Sequence, residues 1–197
     1  MLTAAHDRVF ARRIRVLARH VAALLPHNAS VLDVGAGDGQ VARLVMDQRP
    51  DVRIRGVDVM ARTKSYIPVE IFDGTHLPYT DREFDAAMMV DVLHHAADQE
   101  ALLRELVRVV KSAVVIKDHV VHGLFARQTL AFMDWVGNAR YGVSLPYAYW
   151  TNEQWARAFS AFGLRVGERR DHLGLYPWPA SLVFERGLHF VARLERT

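Results

Sequence analysis

The chain has 197 residues, 51% hydrophobic and 24% charged, with a formal net charge of +3; this size and balance suit one globular domain with a sizeable buried core. Cysteine is absent, which excludes disulfides, thiolate metal sites and a cysteine nucleophile. No apolar run approaches the ~20 residues of a membrane span, so no membrane partner is expected and the expected location is the cytoplasm.

In chain order, a helix is expected over about 4–25, with Arg8, Arg12, Arg15 and Arg19 on one face and Val9, Leu17, Val21 and Leu24 towards the other. The basic face is read as solvated. A targeting leader is not expected, because the helix runs through Leu25-Pro26 into a strand without a cleavage spacer. That strand falls near about 29–34, followed by a helix near 38–48 and strands near 52–58, 67–72 and 83–90. A helix near about 98–109 and a strand near 112–119 come next, then a long helical segment near 122–139 and a loop to 150. A helix near about 151–162 and strands near 164–171 and 187–195 end the chain.

The runs Val52–Val57, Ala86–Val90 and Ala113–Ile116 are continuously apolar or β-branched apart from the arginines and glycine of the first. Such runs suit parallel strands buried on both faces. Their alternation with helices predicts an α/β, Rossmann-like doubly wound sheet, mostly parallel with an antiparallel C-terminal strand and helices on both faces. The ligand crevice of such a sheet lies at the carboxyl ends of its strands. No repeat or linker divides the chain. It is read as one domain, residues 1–197, with 120–150 as an insert or lid on the substrate side.

The most informative stretch is Val31-Leu-Asp-Val-Gly-Ala-Gly-Asp-Gly39. An apolar strand ending in a Gly-x-Gly-x-Gly turn and passing at once into a helix lets a ligand lie against bare backbone at a helix N-terminus. A dinucleotide fingerprint would need its third glycine where Gln40 stands. With Asp33 in front, the loop instead resembles motif I of class I S-adenosylmethionine-dependent methyltransferases. Three further places carry the resemblance. Gly56-Val-Asp58 ends the second strand 19 residues beyond Gly39; Phe72-Asp-Gly74 precedes Leu77-Pro-Tyr79; and Glu83-Phe-Asp85 opens a strand that ends Val90-Asp-Val-Leu-His-His95. The last element is similar to small-molecule methyltransferases of the ubiquinone and menaquinone biosynthesis group. The resemblance covers about residues 29–119 well and the remainder in outline.

The resemblance implies S-adenosylmethionine as cofactor, with Asp33, Gly35, Gly37 and Gly39 around its methionine part. It places Asp73, with Gly74, at the adenine amino group and Asp91 at the end of the fourth strand beside the cofactor. Asp58 is positioned to accept hydrogen bonds from both ribose hydroxyls. One departure is plain: only 14 residues separate Asp58 from Asp73, too few for the helix and strand the family fits there. The residue stacking on adenine is therefore unassigned, and the adenine side is either open or roofed from elsewhere.

Methyl transfer from a sulfonium requires alignment and exclusion of water, and a general base only for an acceptor protonated at neutral pH. His119, Asp118 and His94 are the catalytic candidates, with His119 as base or substrate orienter; His94 and His95 can equally hold structure or cover the cofactor. Neighbours on a strand face opposite ways, so Asp118 and His119 are not expected to form a dyad. A metal on Asp91, Asp118 and His119 is not expected, since their spacing lacks a metal signature.

Residues 125–150 are dense in aromatics. Phe125, Phe132 and Trp135 recur at helical spacing and are read as packing on the core, whereas the loop 138–150, with Gly142 and Pro146, is read as a lid. Trp135, Arg140, Tyr147 and Tyr149 are the substrate-binding candidates, and Leu175–Pro179 is either a far wall or a rigid turn. The expected activity is methylation of a small, apolar or aromatic metabolite. Nucleic acid is not an expected partner, because basic surface and binding modules are lacking. The alternatives are a nucleic-acid or protein methyltransferase, or a non-catalytic S-adenosylmethionine-binding protein. The chain is either a monomer or a homodimer.

Overall fold

The computed structural model describes residues 2–138 and 145–197, with side chains from residue 9 onward. Strands β1 (Ser30–Val34), β2 (Arg53–Asp58), β3 (Val69–Ile71), β4 (Phe84–Val90), β5 (Val110–His119), β6 (Leu164–Arg170) and β7 (His189–Arg196) form one sheet of order β3-β2-β1-β4-β5-β7-β6. β1 to β5 pair in parallel, and β7 runs antiparallel between β5 and β6. The expected doubly wound architecture is present. Strand order reverses between β1 and β4, so their carboxyl ends open a crevice there.

The alternation of side chains along the strands assigns each face of the sheet its helices. Val31, Ala86, Met88, Ala113 and Val115 pack against α1 (Leu2–Leu24) and α2 (Gln40–Gln48). Leu32, Val34, Ala87, Met89, Val114 and Ile116 pack against α3 (Gln99–Val109) and α5 (Asn152–Ala161), where Trp155 and Phe159 fill the space over β5 and β7. Asp98 caps α3 by accepting the Ala101 amide, and Thr151 with Gln154 forms a capping box on α5. Beside them, α4 (Ala126–Asn138) packs against the short α6 (Ser181–Phe184).

Three elements differ from the sequence reading. β5 begins at Val110, directly out of α3, where buried Val110 already pairs with Phe84 of β4. Leu93–His95 forms a 3-10 turn, and α6 was not anticipated. The segment between β2 and β3 carries no helix among residues 59–68, as its length requires. It lies across the glycine loop instead: the Tyr66 amide donates to Asp38 O at 2.8 Å, and Ile67 is buried against Gly39.

Candidate active site

The glycine loop leaves β1 with Gly35 and Ala36 both donating to Val57 O. Gly35, Gly37 and Gly39 all have positive φ (75°, 60° and 75°), a conformation that side chains resist. Their roles differ. A Cβ at Gly35 would meet Val92 at 2.3 Å and one at Gly39 would meet Ile67 at 2.4 Å, whereas one at Gly37 would meet nothing within 4 Å. Two glycines therefore let protein close in, and the third faces open space. Asp58 Oδ2 accepts the Gly37 amide at 2.7 Å and Oδ1 accepts the Met60 amide at 2.9 Å. Each oxygen keeps a lone pair for a ligand hydroxyl. Bare backbone beside a fixed carboxylate fits S-adenosylmethionine.

Asp33 is buried on β1; burial, with Asp58 close by, pushes its carboxyl up to about 8. Asp73 is exposed, and its carboxylate closes a turn by accepting the Thr75 and His76 amides, both at 2.7 Å. Those bonds to His76 and Thr75 hold it down at about 2. Gly74 follows at φ 86° beside Val59.

Beyond β4 the chain turns at Asp91, itself left-handed at φ 57°. Its carboxylate takes the buried Lys117 ammonium on one oxygen and Arg13 Nη2 at 2.5 Å on the other. Burial raises the Asp91 carboxyl, but Lys117 and Arg13 outweigh it and hold it well below the usual range. Around this pair lies a cluster of buried imidazoles and carboxylates. His94 Nδ1 donates to Asp118 Oδ1 at 2.6 Å, while its buried Nε2 makes no hydrogen bond and sits 3.4 Å from Asp134 Oδ2. Burial pulls the His94 imidazole down, but Asp118 and Asp134 push it up to about 10. Tyr149 donates to Asp134.

His119 stands across the β5–β7 ladder from His189. His189 Nε2 lies 2.8 Å from Phe184 O and must donate to it, so the neutral ring presents Nδ1 as acceptor. Burial first, then Lys117 and His119, hold His189 neutral, well below its usual value. His119 Nδ1, 3.0 Å away, then donates to His189, leaving His119 Nε2 as a lone pair. That lone pair faces Asp134 Oδ1 at 3.5 Å and Asp91 Oδ1 at 3.6 Å. Burial, with Lys117 and His94, also pulls His119 down.

These groups form one wall of a cavity of about 230 Å³. Arg13, Asp91, His94, His119 and Asp134 are its polar side; Phe10, Phe132, Tyr176 and Phe184 are its aromatic side. As expected, Asp118 and His119 do not form a side-chain dyad: Asp118 serves His94 and accepts the His119 backbone amide. Trp135 is 57% exposed and does not line the cavity, because it sits on the outer side of α4. Phe125 and Phe132 are also exposed, so the helix-on-core reading of these aromatics is corrected. Tyr149 is buried under the cluster, Tyr147 is exposed at φ 54°, and Arg140 lies outside the described residues, as does most of the 138–150 loop's first half. Of Leu175–Pro179, Tyr176 reaches the cavity and Trp178 is 79% exposed.

Sequence reasoning missed Arg13, Lys117, Asp134 and His189. Asp134 did carry a signal: with Ala126 and Leu130 it makes the buried i, i+4, i+8 stripe of α4. Lys117 extends an otherwise apolar buried run. Arg13 is the one described arginine of α1 turned towards Asp91, away from exposed Arg12, Arg15 and Arg19.

This fold and crevice define a class I nucleotide-cofactor enzyme architecture, and comparison with known proteins narrows it. Residues 7–168 match the family described as "Methyltransferase domain". The demethylmenaquinone methyltransferase of Thermotoga maritima is 33% identical over 88 residues, a stretch covering 41% of this chain and 38% of that enzyme. The chain thus aligns with well under two thirds of that relative's length. Among solved structures, the methyltransferase found in complex with the Trm112 methyltransferase activator of Haloferax volcanii superposes with a TM-score of 0.71 at 19% identity, covering 98% of this chain and 95% of that one. The 1,6-didemethyltoxoflavin-N1-methyltransferase of Burkholderia thailandensis, solved with S-adenosylhomocysteine, gives 0.66 at 18% identity over 94% and 78%. The chain belongs to the class I S-adenosylmethionine-dependent methyltransferase family.

Asp33 makes a testable contribution to stability. Its folded value, about 8, lies above the ordinary carboxylate value of 3.8, so the folded chain holds the proton more tightly. The associated stability is full below the lower value and is lost as pH rises through the higher one. Urea unfolding of the cofactor-free chain between pH 5 and 8 should show a decline of up to ~1.4 kcal/mol per pH unit from this group. Asp33→Asn should flatten that decline. An unchanged slope in the variant would contradict the assignment.

Proposed function

We propose that the chain transfers the methyl group of S-adenosylmethionine to a small molecule held in the cavity beside Asp91. The observation that supports it best is the adjacency of two unlike sites. Val92 follows Asp91 and packs into the space left by Gly35, joining the glycine loop to the cavity. When bound, the cofactor supplies an electrophilic methyl whose bond to sulfur breaks, the pair staying on sulfur, as the acceptor's lone pair forms the new bond.

The chain's own residues do the rest. Gly37 and Asp58 hold the cofactor, with Asp33, Gly35, Gly39, Asp73, Gly74 and Asp91 as the further cofactor contacts. A volume of about 230 Å³ suits a small acceptor rather than a nucleic acid or protein side chain presented by a large partner. The aromatic side, Phe10, Phe132, Tyr176 and Phe184, favours a planar or apolar body. The polar wall then meets the acceptor's one reactive heteroatom and receives its proton. His119 is the residue of that wall we assign to the reacting atom, with His94, fixed by Asp118, beside it. Segment 120–150 serves as the acceptor-side insert: α4 contributes Phe132, Met133 and Asp134 to the cavity, and Tyr149 holds Asp134 from behind. Tyr147 and Trp135 belong to its outer part.

Two measurements test this reading. Calorimetry on Asp58→Ala should show S-adenosylmethionine binding weakened by at least ~1.5 kcal/mol, since a charged hydrogen-bond acceptor is lost. Wild-type affinity in that variant, or tight NAD binding in its place, would refute the cofactor assignment. His119→Ala should lower kcat by about 10²–10⁴-fold on an accepted substrate, with cofactor affinity nearly intact. Loss of cofactor binding alone, with kcat preserved at saturation, would move His119 out of the reaction.

A further inference from the structure

The geometry points to a divalent first-row cation bound by His94 Nε2, His119 Nε2 and Asp134 in the polar wall of the cavity. We infer the site from four observations. The donor atoms of these three buried residues all lie within 4.8 Å of one another. His94 Nε2 lies 3.4 Å from Asp134 Oδ2 and His119 Nε2 lies 3.5 Å from Asp134 Oδ1, so each imidazole has its own carboxylate oxygen near the ~3.3 Å ligand-to-ligand separation that ~2.0–2.1 Å bonds give.

His94 Nε2 is buried without a hydrogen bond and faces the centre of the three. A proton there faces Asp134 at 3.4 Å in geometry too poor for a hydrogen bond, so the group is better satisfied when an ion takes the proton's place. His119 Nε2 is a lone pair by its bond to His189 and faces two carboxylates with no donor between them. One cation in the middle satisfies all three groups.

The outer shell is also in place. Asp118 holds His94, His189 holds His119, and Tyr149 holds Asp134. Second partners of this kind fix tautomer and direction at metal centres. Asp91, though near, is taken by Lys117 and Arg13. Two imidazoles and one carboxylate suit zinc, iron(II) or cobalt(II) rather than magnesium or calcium. Three protein ligands leave at least one open position, and all three line the cavity, so that position faces the acceptor. With the ion bound, His119 would act through it and not as a free base, the ion holding and acidifying a hydroxyl there; that role rests on the methyl-transfer reading, and the ion site itself does not.

The test uses the full chain, stripped with a chelator and dialysed. Zinc uptake is measured by equilibrium dialysis, and cobalt(II) uptake by its visible absorption; S-adenosylmethionine binding is measured on the same samples by calorimetry. One ion per chain is expected. His119→Ala and Asp134→Asn should each weaken uptake by at least ~10-fold, and Asp118→Asn by about 10–100-fold through His94. His27→Ala, at an exposed histidine far along the chain, should change nothing. Cofactor affinity should stay within about twofold throughout; should His119→Ala not fold, His119→Gln takes its place and is expected to lose uptake equally. A folded, cofactor-binding wild type that takes up no ion overturns the proposal, as does undiminished uptake in the ligand variants. Ion uptake without any cofactor binding would instead overturn the methyl-transfer reading and leave the ion site standing.

Discussion

The site depends on one buried ionic contact, Asp91 held between Arg13 and Lys117. It joins three separate elements: α1, the turn after β4, and the end of β5. Each of these charges is costly to remove from water, and only mutual pairing makes their burial tolerable. Lys117 is fully buried, and its ammonium pairs with Asp91 and lies 3.4 Å from His189 Nδ1. The consequence is positional. With Asp91 fixed, the left-handed turn after β4 sets Val92 against Gly35 and delivers His94 to Asp118. The glycine loop and the cavity wall are thereby tied to one another.

The two halves of the crevice follow different physics. On the glycine-loop side, backbone sets the geometry: positive φ at three glycines, amides aimed at Asp58, and open space at Gly37. On the cavity side, side chains dominate, and those of its polar wall are titratable and largely buried. Such a cluster is stable only when every charge has a counterpart. His94 meets that need in the ion-free chain, where Asp118 and Asp134 hold it charged. A bound cation would meet it equally, which is why the same residues suit both roles.

Much of the fold was legible because parallel strands and amphipathic helices leave strong periodic signals. The apolar runs of β4 and β5 and the glycine turn after β1 were readable directly, and so were Asp58, His94 and His119 as groups at strand ends. The cavity side was less readable for identifiable reasons. Aromatics on α4 suggested an inward face, yet Phe132 and Trp135 are exposed and the inward stripe is Ala126, Leu130 and Asp134. His189 meets His119 only through the antiparallel register of β5 with β7, which no local pattern reveals. Arg13 was hidden among the arginines of α1, three of which are solvated. Lys117 was passed over because a lysine within a buried strand has meaning only once its carboxylate is known.

The central claim is that cofactor and acceptor sites meet at Asp91. A crystal structure of the chain with S-adenosylhomocysteine tests it most directly. The account predicts the ribose on Asp58, the glycine loop against the ligand at Gly37, and the sulfur at the mouth of the cavity walled by His94, His119 and Asp134. A ligand bound elsewhere, or one whose sulfur is separated from that cavity by packed side chains, would contradict it.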